Sequence, residues 1–249
     1  MSSDLAAFIA ALKTAVAPWR LQLSAEQVRA MSDHFLRMVE ANRTMNLTRI
    51  TDPAEAAVMH YADSLSVAAW AASRGIAVGT ILDIGTGAGF PAVPLAIAHP
   101  DWAVTAIDGT RKKIDFLAVF ASEAGLKNLH LGHAHADHWS SPGTFDCVCS
   151  RAVAWSAKFV EAAARFVRPG GWLIRFATQR GSSDRVHPET PSPDPLPQRG
   201  QGVTGCASFG DAKSAAGRIG WSAEPAFPYE IPCGGERIRR CLGVIRKAR

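Results

Sequence analysis

Ile81-Leu82-Asp83-Ile84-Gly85-Thr86-Gly87-Ala88-Gly89-Phe90-Pro91 joins an apolar run to an acid and then to three glycines spaced two apart. A second apolar run, Ala103-Val104-Thr105-Ala106-Ile107, ends in Asp108, nineteen residues after Gly89. The order reads as strand, tight turn, helix, strand, acid, which is how an α/β sheet builds a pocket for a nucleoside-bearing ligand. Glycine is the residue that enters positive φ cheaply, and its missing Cβ lets a ligand approach the backbone.

The spacing separates two ligand classes. A dinucleotide fingerprint is G-x-G-x-x-G, with a helix N-terminus facing pyrophosphate. Here the order is G-x-G-x-G, and Phe90 stands where the third fingerprint glycine would be. Asp83, two residues before Gly85, would repel pyrophosphate but suits a cationic or amine-bearing ligand. The reading is therefore S-adenosylmethionine, held at Asp83, Gly85 and Gly87, with Asp108 accepting from the ribose hydroxyls. A nicotinamide dinucleotide is the weaker option.

Either side of this motif the hydrophobic pattern differs. Residues 1–75 read as a helical extension: Leu5, Phe8, Ile9 and Leu12 form one stripe, and Val28, Met31, Phe35 and Met38 another. Ser24 with Gln27 makes a capping box, and Asp52-Pro53-Ala54-Glu55 opens a further helix. From residue 80, short apolar runs alternate with helical ones. Strands are predicted at 80–84, 103–107, 129–131, 145–149 and 172–177, and helices at 91–98, 112–124 and 155–167. Arg168-Pro169-Gly170-Gly171 reads as a turn. This is an α/β chain with a mostly parallel, Rossmann-like sheet covered on both faces, in a core domain spanning 76–249. A short helix near 211–219 and antiparallel neighbours at 221–227 and 238–246 complete it. Between Pro188 and Pro197 five of ten residues are proline. With almost no large apolar side chains, residues 181–210 read as a flexible insertion.

At 249 residues, 47% hydrophobic and 20% charged, the chain has enough apolar material for a sizeable core. Its first apolar run is too short and too weakly basic for a signal peptide, and no stretch approaches a membrane span. The five cysteines are scattered, and Cys147 with Cys149 reads as a pair of buried thiols, consistent with a reduced cytoplasmic setting. A net charge of +5 is compatible with an anionic partner and does not by itself specify one.

Laid out in order, the motifs resemble the bacterial small-subunit rRNA (guanine-N7) methyltransferases, the glucose-inhibited division protein B family. The matching fragments are Asn46-Leu47-Thr48, His60 with Asp63-Ser64, Asp83 to Pro91, Asp108 with Arg111-Lys112-Lys113, Gly125 to Asn128, Ser150-Arg151-Ala152 and Gly235-Glu236-Arg237. The resemblance implies a Rossmann-like methyltransferase sheet with an antiparallel last strand. It implies S-adenosylmethionine at Gly85, Phe90, Ala136, Asp137 and Arg151, and a monomeric enzyme acting on 16S rRNA or the 30S subunit. An acid following the third strand, Asp137, also suits the adenine amine. Where the family carries Lys-Gly at the end of the fifth strand, this chain has Ala177-Thr178, with Arg175 and Arg180 as possible substitutes. Two rivals follow: a methyltransferase for another substrate, and a catalytically weakened S-adenosylmethionine- or RNA-binding member.

Guanine N7 has a free lone pair, so methyl transfer needs alignment rather than proton removal. No dedicated catalytic base is therefore assigned. Substrate-side candidates are His60, Asp63, Ser64 and Arg237; the first three share a helix face at ordinary helical spacing. They are read either as site residues or as a buried polar cluster. Arg111, Lys112, Lys113 and Arg237 are the RNA-binding candidates, with Arg239, Arg240, Arg246, Lys247 and Arg249 as further tail cations. His130, His133, His135 and His138 lack a second ligand set, so no metal is assigned. Trp155 and Phe159 read as helix packing.

Overall fold

The apolar runs become strands of one sheet in the computed structural model, which describes residues 3–140, 143–151, 156–178, 185–186, 214, 216–217, 219–233 and 235–248. β1 (Thr80–Ile84), β2 (Ala103–Asp108), β3 (Leu129–His133), β4 (Phe145–Ser150) and β5 (Val167–Thr178) run parallel in the order β3-β2-β1-β4-β5. Two-residue β6 (Arg185–Val186) and long β7 (Ser222–Cys233) both pair antiparallel with β8 (Glu236–Arg246). β8 is itself antiparallel to β5, so β7 points the same way as β5.

Period-two alternation puts the core on both faces. Ile81, Cys147, Ile174 and Val244 enter one cluster, shared with Phe8, Met31, Leu65 and Trp70 of the N-terminal helices. Leu82, Val148, Leu173 and Ile245 enter the other, shared with Phe159, Val160 and Ala163. The strand order reverses at β1 and β4, which places a crevice at their carboxyl ends, where open α/β sheets bind ligands.

The N-terminal helices are α1 (Ser3–Val16), α2 (Ala25–Met45), α3 (Pro53–Ala56) and α4 (Asp63–Arg74), with a π-helical segment, Ala57–Ala62, joining the last two. Both halves of the predicted capping box form: the Gln27 amide donates to Ser24 Oγ at 3.1 Å and the Ser24 amide to Gln27 Oε1 at 2.9 Å. Gln27 Nε2 also donates to the carbonyls of Ile97 and Ala98, both at 3.0 Å. These end α5 (Ala92–Ala98), the helix after the glycine turn. One side chain thus starts α2, satisfies carbonyls of α5 and ties the two together.

Several boundaries differ from the sequence reading. The helix expected at 155–167 is α7, Ala157–Ala164, and Trp155 lies outside the described residues. β5 begins at Val167, before the expected turn. Gly170 (φ 74°) and Gly171, where a Cβ would lie 2.9 Å from the Arg168 and Asp146 carbonyls, let the chain bulge against β4 and stay paired. β7 runs to Cys233, six residues past its expected end. It is an edge strand, so Pro225, Pro228 and Pro232 are tolerated within it. At 211–219 the described residues Ser214, Ala216, Gly217 and Ile219 are helical. Apart from β6, the proline-rich stretch lies outside the described residues. Cys147 and Cys149 are buried thiols, whereas Cys241 is held in a disulfide that the scattered spacing does not signal.

Because Gln27 serves both helices, replacing it with Leu is expected to destabilise the protein by about 1–3 kcal/mol. Ser24→Ala, which removes only the cap, should lie near 1 kcal/mol. Urea denaturation measures both, and a Gln27→Leu effect no larger than that of Ser24→Ala would remove the inter-helix role.

Candidate active site

The chain leaves β1 through Gly85 (φ 75°) and returns to β2 at once. The Gly85 and Thr86 amides donate to the Ile107 carbonyl at 2.8 and 3.1 Å. Gly87 (φ 61°) donates its amide to Asp108 Oδ2 at 3.0 Å, and Thr110 donates to Oδ1 at 2.8 Å. A carboxylate offers about four lone-pair sites, so Asp108 keeps capacity for two hydroxyls. Nothing lies within 4 Å of a Cβ built on Gly87, whereas one on Gly89 (φ 101°) would meet Val93 at 2.5 Å and Leu117 at 2.8 Å. Gly87 therefore faces space and Gly89 faces helix packing.

Asp83 is fully buried with one hydrogen bond, from the Ala92 amide to Oδ2 at 3.3 Å. Its Oδ1 and the Thr86 hydroxyl have no partner among the described residues. Burial pushes this carboxyl up to about 7, against the nearby Thr86 hydroxyl, the Ala92 amide and the Arg151 charge. A buried carboxyl with one oxygen lacking a donor has the chemistry to take a cationic group.

Arg151, immediately after β4, reaches across to the helical segment. Nη1 donates to the Met59 carbonyl at 3.0 Å and Nη2 to His60 Nδ1 at 2.9 Å, while the guanidinium lies 5.0 Å from the Phe90 ring centroid. Arginine has no acceptor, so His60 Nδ1 must be the unprotonated nitrogen. The neutral ring then carries its proton on Nε2 and donates it to Thr48 Oγ1 at 2.8 Å. Burial and the Arg151 charge hold the His60 pKa down at about 3, so the ring stays neutral. His60 also stacks on Phe90 at 4.7 Å. Beneath them His34 is buried, its Nδ1 2.8 Å from the Tyr61 hydroxyl, and burial likewise lowers its pKa to about 3.

The structure gathers Asp83, Gly85, Gly87, Phe90, Asp108, Arg151, His60 and Asp63 about one rim. Ala136 and Asp137 follow β3, on a loop packed against the one after β2: the Ala134 amide donates to the Asp108 carbonyl at 3.1 Å, and His135 lies against Gly109. Asp137 pairs with Lys158 at 2.7 Å, and that hydrogen bond lowers its pKa. Lys113 leans to within 3.8 Å of Asp108, while Arg111 and Lys112 are exposed at the start of α6 (Arg111–Glu123).

The remaining candidates fall in different surroundings. Ser64 is fully buried and its hydroxyl donates to the His60 carbonyl at 2.5 Å, which is the buried-polar reading of that residue. In the tail, Arg237 and Arg239 pair with Glu230, at 3.6 and 3.2 Å, on the strand face opposite Arg240. Arg240 turns inward to Asp63. Sequence reasoning left Arg240, Tyr229 and His34 unassigned to the site. Their signal was a polar residue inside an apolar alternation: Ile238-Arg240-Leu242, Phe227-Tyr229-Ile231 and Met31-His34-Phe35-Met38.

Residues 27–186 match the family model described as rRNA small subunit methyltransferase G, GidB. The chain is 31% identical over 228 residues to the ribosomal RNA small subunit methyltransferase G of Lactococcus lactis subsp. lactis, covering 90% of this chain and 85% of that protein. With the protein of the same name from Leuconostoc citreum it shares 29% identity over 245 residues, 97% and 91% of the two chains. Among solved structures, the glycopeptide N-methyltransferase MtfA complexed with (S)-adenosyl-L-methionine superposes with a TM-score of 0.54 at 13% identity, covering 75% of this chain and 94% of that one. That likeness is one of fold.

The two glycines make different demands. Gly89→Ala, which combines positive φ with a clash, should destabilise by about 2–4 kcal/mol, and Gly87→Ala, which has only the backbone term, by about 1–2 kcal/mol. Thermal denaturation of both variants checks this, and the reverse order would contradict the packing described here.

Proposed function

We infer the activity from kinship: the chain belongs to the rRNA small subunit methyltransferase G (GidB) family and is an S-adenosylmethionine-dependent methyltransferase of small-subunit ribosomal RNA. We propose that its acceptor is N7 of one guanine in 16S rRNA, free or within the 30S subunit, and that it acts as a cytoplasmic monomer. No helix among the described residues is long and apolar enough to cross a membrane.

The Asp83 carboxyl beneath the glycine turn, with Oδ1 unpartnered among the described residues, is the observation that carries the cofactor assignment. When bound, S-adenosylmethionine supplies a methyl group on a positively charged sulfur. Asp83 would take its amino group, Arg151 its carboxylate, Asp108 its ribose hydroxyls, and the Ala136–Asp137 segment its adenine. The residues present fit such a zwitterion: a buried carboxyl and a half-buried guanidinium stand on the same rim.

The His60 tautomer supports N7 as acceptor. Both ring nitrogens are engaged, and its low pKa makes it a poor proton acceptor. A ring nitrogen that already offers its lone pair needs no such help. What remains for the protein is to hold acceptor and donor in line and exclude water. Arg111 and Lys112 on α6, with Arg237 on the tail hairpin, would meet RNA phosphates.

The test is incubation of the purified protein with isotopically labelled cofactor and 16S rRNA or 30S subunits, followed by mass-spectrometric mapping. One labelled methyl on guanine N7 is expected; cofactor binding with no transfer to RNA would instead support the weakened-member reading. The raised Asp83 carboxyl adds a pH test. Binding a cation selects the ionised form, so the apparent Kd should rise about tenfold from pH 8 to pH 6 as the protonated fraction grows. Asp83→Asn should bind more weakly and flatten that profile; a wild-type profile already flat would detach Asp83 from the cation.

A further inference from the structure

We propose that Arg240 and Tyr229, brought in by the tail hairpin, are positioning residues that act through Asp63 to keep Arg151 available to the cofactor carboxylate. This rests on the reading that Arg151 binds that carboxylate, and it identifies what controls Arg151.

Asp63 is completely buried, yet both its oxygens are answered. Oδ1 accepts from the Tyr229 hydroxyl at 2.6 Å and from Arg240 Nε at 2.9 Å; Oδ2 accepts from Arg240 Nη2 at 2.9 Å. The Arg240 fork is therefore bidentate, the strongest geometry available to an arginine and a carboxylate. Arg151 Nη1 stands 3.7 Å from Oδ2, close enough to feel its charge but beyond hydrogen-bond range. Two guanidiniums thus share one carboxylate, and the hairpin arginine holds the short bonds.

The charge balance gives this consequence. Arg240 takes the short bonds to Asp63, which leaves Arg151 without a hydrogen-bonded carboxylate beside the sheet rim. Among the described residues two of its five N–H donors are taken, by the Met59 carbonyl and His60. The π-helical turn contributes as well, since Met59 lies within Ala57–Ala62, where its carbonyl accepts from Arg151. Without Arg240, Asp63 would be a buried anion whose nearest cation is Arg151. A short Asp63–Arg151 bond would form, withdrawing Arg151 from the ligand. Tyr229 acts in the same direction by occupying Oδ1.

Calorimetry with two ligands separates this role from plain structural support. S-adenosylhomocysteine carries the amino-acid carboxylate, and methylthioadenosine shares the nucleoside but lacks it. Arg240→Met should weaken S-adenosylhomocysteine binding by at least about tenfold, a decade being about 1.4 kcal/mol, and leave methylthioadenosine affinity unchanged. Adding Arg240→Met to Arg151→Met should cause no further loss. Equal weakening of both ligands, or additive losses in the double variant, would show that Arg240 merely supports the fold. Should Arg240→Met not fold, Tyr229→Phe removes a single hydroxyl and keeps the ring packing on Trp19 and Phe227. It should give a smaller loss confined to S-adenosylhomocysteine, and a loss shared by both ligands would overturn the proposal. If Arg151→Met leaves S-adenosylhomocysteine affinity at the wild-type value, the Arg151 reading fails, independently of the hairpin.

Discussion

A carboxylate taken out of water must be answered by a cation or by donors, or it takes up a proton. This chain buries Asp63 and Asp83 completely beside one rim and resolves them in opposite ways. Asp63 is answered completely from within, by a bidentate arginine and a phenol. Asp83 is not, and its carboxyl rises to about 7 with one oxygen unpartnered. The first arrangement is complete within the fold, and the second leaves one oxygen without a donor among the described residues. Arg151 lies within the field of both, since each charge favours its protonated form while burial opposes it.

That contrast depends on elements distant in sequence. Asp63 comes from the helical extension, Arg240 and Tyr229 from the last two strands, Asp83 and Arg151 from β1 and the end of β4. The extension forms part of the same hydrophobic cluster as one face of the sheet, from Phe8 to Val244. Phe90 lies at the centre of the junction, stacked by His60 and met edge-on by Tyr61 and His34. A change in how the N-terminal helices pack would therefore reach the glycine turn through rings in contact rather than through the backbone. Gln27 makes a second, polar connection between the same two parts.

The central strands and the glycine turn were legible because each carries its own local signal: an apolar run of strand length, an acid, and glycines where positive φ is required. The capping residues Ser24 and Asp52 were legible for the same reason. Features that depend on long-range hydrogen bonds were not. The π-helical turn has no composition of its own, and its Met59 carbonyl is answered by a residue 92 positions away. Arg237 was favoured over Arg240 because it sits in a recognisable tripeptide. Only the facing of β8, set by pairing with β5 and β7, shows which arginine turns inward. The bulge in β5 and the prolines of β7 were misread as ends because turn residues carry different meanings at a sheet edge.

The engaged state of His60 bears on how such a site achieves its chemistry. A neutral imidazole fixed by Arg151 on one nitrogen and Thr48 on the other cannot change tautomer without breaking both bonds. Protonation would set a cation against the Arg151 guanidinium, and burial opposes it further. The ring therefore acts as a rigid plate stacked on Phe90 rather than as a proton carrier. A transfer that places new positive charge on its acceptor gains from an environment in which nearby groups cannot take up additional protons. Pre-organised polarity of this kind needs no reorganisation at the moment of reaction, which is where electrostatic catalysis has its largest effect.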